Sequence, residues 1–230
     1  MYTLDVVSTV EKIIKGIKIF FFVMLYLLVK IKIMILVQPE YLPKVNYFKD
    51  LMNQNIGCKV NLKYHNSDFF DKGYLCNEDG FFFIKVPTVK KTSTEFQRDI
   101  KIDYKQNWIN SHMQSLQSSY GKFPYFIFYI DYIKNILKLN HTFLIDLNYD
   151  LLSLFLDLLN FDKKLSKTYS GDSLTNKNTI IHSETSLPSI KNVKVMRNDF
   201  FLGKNFDYEL SIVDLLFLKG PESGFYIRNF

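Results

Sequence analysis

Alanine is missing from all 230 residues, and arginine occurs only at Arg98, Arg197 and Arg228. The second shortage bears on partners. Nucleic-acid faces are built from clustered basic residues, with arginine favoured for its bidentate fork. Here the net charge of +6 comes mostly from lysines strung along the chain, adjacent only at Lys90-Lys91 and Lys163-Lys164. Charge dispersed in this way is a solvated surface, so no nucleic-acid partner is expected. Cysteine is scarce as well. Cys58 and Cys76 form no CxxC or Cys/His ligand spacing, and both are expected as buried, reduced thiols rather than nucleophiles. The four histidines, His65, His112, His141 and His182, contain no HxxxH pair, so no metal site is expected. There is no GxGxxG, GxxxxGK[ST] or GxSxG string and no internal repeat. Dinucleotide cradles, phosphate loops and hydrolase elbows therefore drop out, and no cofactor is expected.

A long uninterrupted hydrophobic run is also lacking. Ile19 to Val29 is apolar and aromatic, but Lys18 and Lys30 bracket it. It falls short of the roughly 20 residues that span a bilayer, and no small-residue cleavage site follows. Residues 1–33 are expected to be an extension upstream of a start at Met34, leaving one cytoplasmic domain over 34–230. The alternative is a leader that tethers the chain to a membrane through the 19–29 run, with the lysines on the cytoplasmic side. A membrane partner is expected only in that second case.

The body reads as α/β. Ile33 to Val37 is an apolar run of strand length, ended by Gln38-Pro39, and Pro43 opens a helix to about Asn53. Cys58 to Tyr64 alternates apolar and polar residues, a strand of period two. Strand, helix and strand in this order predict a parallel crossover and a partly parallel sheet. Ligands gather beyond the carboxyl ends of such strands, here Gln38 to Pro43 and His65 to Lys72. Gly73 to Val86 predicts a hairpin turning at Asn77-Glu-Asp-Gly80. The C-terminal half is mainly helical. Helices are expected over Trp108–Tyr120, capped by Asn107 and closed by Gly121, over Pro124–Leu139, and over Asp146–Asn160. Lys163 to Asn192, rich in Ser, Thr, Asn and Lys, reads as a polar loop or lid. A short terminal helix follows Ser211, with Ser211 and Asp214 capping its start, Ile212, Leu215 and Leu216 on one face, and Gly220-Pro221 stopping it.

Within the third helix, Trp108 and His112 are four residues apart and share a face. On that spacing they read first as a packed pair, and only in the second place as a functional one. In the latter case His112 is a proton carrier near pH 7 and Trp108 a stacking wall.

Three segments, in order, carry a resemblance. They are Ile35-Leu-Val-Gln-Pro-Glu-Tyr-Leu-Pro-Lys-Val-Asn-Tyr-Phe48; then Asn107-Trp108 with His112, Tyr120, Pro124 and Phe126; then Ser211-Ile-Val-Asp-Leu-Leu-Phe-Leu-Lys-Gly-Pro-Glu222. This pattern resembles the WbqC-like family of bacterial surface-polysaccharide gene clusters. The chain departs from the family pattern at Asp71-Lys72, where Asn-Arg is expected, and at Leu218, where an amide is expected. The resemblance implies a role in surface-polysaccharide or O-antigen assembly, with acyl or aminoacyl transfer to an aminosugar as the chemistry. Sugar nucleotides and acyl or aminoacyl donors are the partners it implies. On that reading His112 or His65 is the base, and Gln38, Tyr41, Lys72, Trp108, Tyr120 and Glu222 contact substrate. The departures favour the alternative, a non-catalytic binding or accessory protein of the same assembly.

Overall fold

The computed structural model describes residues 14–22, 34–49, 51, 55–62, 70–77, 81–89, 96–161, 165–168, 180–181 and 210–229. The chain divides into two units, Met1–Met34 and Ile35–Phe230. The first unit contributes one helix, α1 (14–22), whose Ile17, Phe20, Phe21 and Phe22 are all exposed. Among the described residues, no helix is long and apolar enough to cross a membrane.

The second unit is a mixed α/β body. Its main sheet has the strand order β5-β2-β1-β6, from β1 (Met34–Val37), β2 (Asn55–Lys59), β5 (Leu165–Thr168) and β6 (Ile180–Ile181). β1 runs parallel to β6, in register Leu36 to Ile180, and β2 runs parallel to β5, Ile56 to Leu165. A separate antiparallel hairpin joins β3 (Lys72–Cys76) to β4 (Phe81–Lys85), Lys72 opposite Lys85. Among the described residues its helices are α2 (Val45–Lys49), α3 (Trp108–Tyr120), α4 (Phe126–Leu137), α5 (Leu144–Leu158), α6 (Ile212–Lys219) and α7 (Ser223–Arg228). The parallel strands, the hairpin and the helical C-terminal half match the expected fold class.

Three local expectations are corrected. The second strand lies earlier than its alternation predicts, over Asn55–Lys59 instead of Cys58–Tyr64. It sits between two neighbours, so Ile56, Gly57 and Cys58 are all buried, and a strand covered on both faces need not alternate. The polar segment over 163–192, read as a loop or lid, includes β5 and β6, and all its other residues lie outside the described ones. The terminal helix α6 is buried on every side from Ile212 to Leu218, not along one face, because it packs against both α4 and α7. Ser211 makes no side-chain cap bond there. Its chain is held instead by backbone bonds, Ile212 N–H to the Pro43 carbonyl at 2.9 Å and Val45 N–H to the Leu210 carbonyl at 2.9 Å. Gly121 closes α3 with an ordinary right-handed φ of −58°, without the left-handed turn often found there.

Candidate functional site

The segment after β1 is the hub of the body. Gln38, Glu40, Tyr41, Leu42 and Lys44 are all buried, although three of them are polar or charged. Two packing devices hold this segment. Leu42 bridges to Gly73 at the start of the hairpin, where a Cβ on residue 73 would come within 2.8 Å of the Leu42 side chain. From α5, the Asn148 amide nitrogen donates to the Pro39 carbonyl at 3.2 Å and to the Phe70 carbonyl at 2.7 Å. One fully buried side chain thus ties the exit of the first strand to the entrance of the hairpin.

Tyr41 carries this segment to α3. Its hydroxyl lies 2.8 Å from His112 Nδ1, and both residues are buried. The imidazole also hydrogen-bonds the backbone of Lys85, a contact that works to raise its pKa and so marks the ring as the donor. In the neutral ring this leaves Nδ1 as acceptor for the Tyr41 hydroxyl proton. Burial dominates, however, and the His112 pKa is lowered from 6.5 to about 4. Burial likewise pushes the Tyr41 hydroxyl far above its ordinary range. The pair is an uncharged, hydrogen-bonded unit at neutral pH. Trp108 packs edge-on against the His112 ring at 5.0 Å between centroids, and Tyr104 tilts against Trp108 at 6.0 Å.

A cleft of about 520 Å³ opens beside this unit. Trp108, Ser111, His112 and Ser115 line it from α3, Gln106 and Asn107 from the approach to α3, and the Phe82–Lys85 stretch of β4 from the hairpin. Asn107 belongs to this lining and makes no side-chain cap bond to α3. Lys85 brings the charge, with its ammonium 3.6 Å from the buried Asp71 carboxylate. The Trp108 indole Nε1 is buried with no hydrogen-bond partner among the described residues, a donor left over in the cleft wall.

The expected site residues separate on this geometry. Trp108 and His112 line the cleft together, and the buried Tyr41 hydrogen-bonds His112 without being part of that lining. Gln38 is buried on the same segment as Tyr41, and its carbonyl accepts from the Tyr47 hydroxyl at 2.8 Å, but it is not part of the cleft lining. Lys72 sits across the hairpin from Lys85, the lysine that reaches the cleft. Tyr120 is fully buried, and its hydroxyl accepts from Cys76 N–H at 3.0 Å, pinning the far end of α3 to the hairpin. Glu222 is exposed in the turn after α6. His65 lies outside the described residues. Both cysteines are buried, and burial pushes the Cys58 thiol up to about 12, the reverse of an activated nucleophile. Lys85, Ser111, Ser115 and Asn148 escaped the reading of the sequence. The only signal for them was position, since Ser111 and Ser115 lie three and seven residues after Trp108.

His112 sets a pH dependence. Above pH 6.5 neither the folded nor the unfolded ring is charged. Between 6.5 and about 4 the unfolded chain takes up a proton that the folded chain refuses, so stability falls as pH drops through that window. The loss attributable to this residue reaches about 3 kcal/mol below the window. Urea midpoints from pH 7.5 to 4.5 should show it, and His112→Gln, which keeps an acceptor and a donor, should flatten the slope.

These elements define a mixed α/β protein with a small cleft built on one helix and one hairpin. The WbqC-like protein family matches residues 38–197, and the chain belongs to that family. The match begins at Gln38 and ends before α6. No curated protein matches the chain, and neither does any solved structure.

Proposed function

We propose that the chain binds a glycosyl ligand of surface-polysaccharide assembly in the Trp108–Lys85 cleft, and that His112 holds the cleft's shape without exchanging protons. The observation that carries this reading is the occupied imidazole. His112 meets Tyr41 at Nδ1 and the Lys85 backbone as well, and its pKa of about 4 leaves it uncharged at pH 7. A general base needs a free nitrogen within reach of the proton it takes. The lining favours a carbohydrate. Phe82, Phe83 and Trp108 offer flat apolar faces, Gln106, Asn107, Ser111 and Ser115 offer hydroxyl and amide partners, and Lys85 offers a cation for a phosphate or carboxylate. The cleft volume falls within the usual range for small-molecule sites, roughly 300–1,000 Å³.

Acyl or aminoacyl transfer to an aminosugar is the second reading. Its support is the same uncharged imidazole, which is in base form at neutral pH and whose basic Nδ1 becomes available once the Tyr41 hydroxyl releases it. A thermal-shift panel of sugar nucleotides, sugar phosphates and acyl donors tests both. A ligand at a hundredfold excess over its Kd adds about 2.7 kcal/mol to the folded state and raises Tm measurably. The binding reading expects a shift that survives His112→Gln, with no product formed when an acyl donor and an aminosugar are combined. Product formation abolished by His112→Gln supports transfer instead. A panel without any shift removes both.

A further inference from the structure

Helix α4 turns two faces to different surroundings. Phe126, Ile133 and Leu137 are buried against the body. At 100° per residue, Phe128, Tyr132, Asn135 and Leu139 fall on the opposite side within a band about 60° wide. All four are exposed, Phe128 by 62%, Tyr132 by 53% and Leu139 by 63%. The helical path continues past Leu137, since Lys138 N–H bonds the Lys134 carbonyl and Leu139 N–H the Ile136 carbonyl, both at 3.1 Å. The spacing along the stripe is four, three, four, the seam of a paired helix, with one amide among the apolar positions. Three large apolar side chains in line on a solvent face are not explained by packing among the described residues.

The flank of this stripe names the occupant. Asp131 and Lys138 are seven residues apart, both exposed, and occupy the same side of the seam. When two copies of α4 pair antiparallel, equivalent flanking positions face each other across the seam. Asp131 of each copy then meets Lys138 of the other, twice by symmetry, and Phe128 opposes Leu139 while Tyr132 opposes Asn135. In a parallel pair these equivalent positions do not face each other and the complementarity is lost. We infer that the exposed face of α4 is a self-association surface, through which two copies of this chain pair antiparallel about a two-fold axis. The surface is one short helix wide, so the dimer is weak and depends on concentration.

Sedimentation velocity of the full chain over about 1–200 µM tests this. The wild type should move from monomer to dimer across the series, and Tyr132→Lys should remain monomeric throughout. D131K alone and K138D alone should each associate about tenfold more weakly, since each faces like charge across the seam. Mixing D131K with K138D should restore association, because every facing pair becomes opposite in charge. A monomer at all concentrations overturns the inference. So does a dimer that survives Tyr132→Lys, or single charge variants that associate like wild type.

Discussion

Asn148→Asp should cost about 3–5 kcal/mol of stability, although it changes a single amide nitrogen to oxygen. The side chain is fully buried, and its nitrogen donates to the carbonyls of Pro39 and Phe70 at 3.2 and 2.7 Å. A carboxylate there presents oxygen to two carbonyl oxygens in a fully buried site. It must either remain charged and unpaired or take up a proton and satisfy only one of the two acceptors. Chemical denaturation should show a large drop at pH 7 that partly recovers on acidification, once corrected for the His112 slope. Equal stability of variant and wild type would show that the amide does not hold the two segments together. Ligand binding should weaken alongside stability, because the Pro39 side of this clamp leads directly to Tyr41.

Gly220→Ala is the other severe change, and its cost has two independent sources. The residue adopts φ 53° and ψ −125°, a region in which any Cβ is strained. The added carbon would also lie 2.4 Å from the Tyr125 ring, inside contact distance. Tyr125 is fixed in turn by its N–H to the Phe217 carbonyl at 2.9 Å, which ties the start of α4 to α6. Strain and overpacking together should cost about 3 kcal/mol. The effect should appear as a lower denaturant midpoint with an unchanged pH profile, because the site is distinct from His112. A midpoint within error of wild type would mean that the turn relaxes freely around the new methyl group.

Much of the helical half was legible because its signals are local. Trp108 to Tyr120 reads as a helix from its spacing alone and is one, and the hairpin over Gly73 to Val86 follows from its apolar return strand and the turn residues between. The outer strands of the main sheet were not legible. β5 is Leu-Ser-Lys-Thr, with a single apolar residue and so no period to read, and its place follows only from pairing with β2. β6 is two residues long in a polar stretch, and only its pairing with β1 makes it a strand. Burial of α6 on all sides was hidden as well. Asp214 near its start reads as a solvent-facing cap, yet that carboxylate is buried.

The site divides in the same way. Trp108 and His112 show a shared helix face in the sequence, and Tyr41 lies in a motif next to the expected strand end. Their meeting depends on chain crossing, which no local pattern encodes. Asn148 was invisible because an Asn between Leu147 and Tyr149 reads as a solvent-facing position of α5. Its role appears only once the two carbonyls arrive from segments 109 and 78 residues away. Lys85 was hidden for the opposite reason. As the last residue of an aromatic strand it reads as a charged end, and its place at the cleft follows from the hairpin's position beside α3.

Trp108 is the sole tryptophan of the chain and stands in the cleft wall, so its emission reports on that place alone. The most direct measurement is a fluorescence titration of the full chain with sugar nucleotides, repeated on Ser111→Phe, which fills the cleft from α3. The cleft-binding account predicts a saturable change in emission for at least one ligand, with affinity reduced tenfold or more in the variant. Flat emission across the panel, or an identical titration in Ser111→Phe, would contradict it.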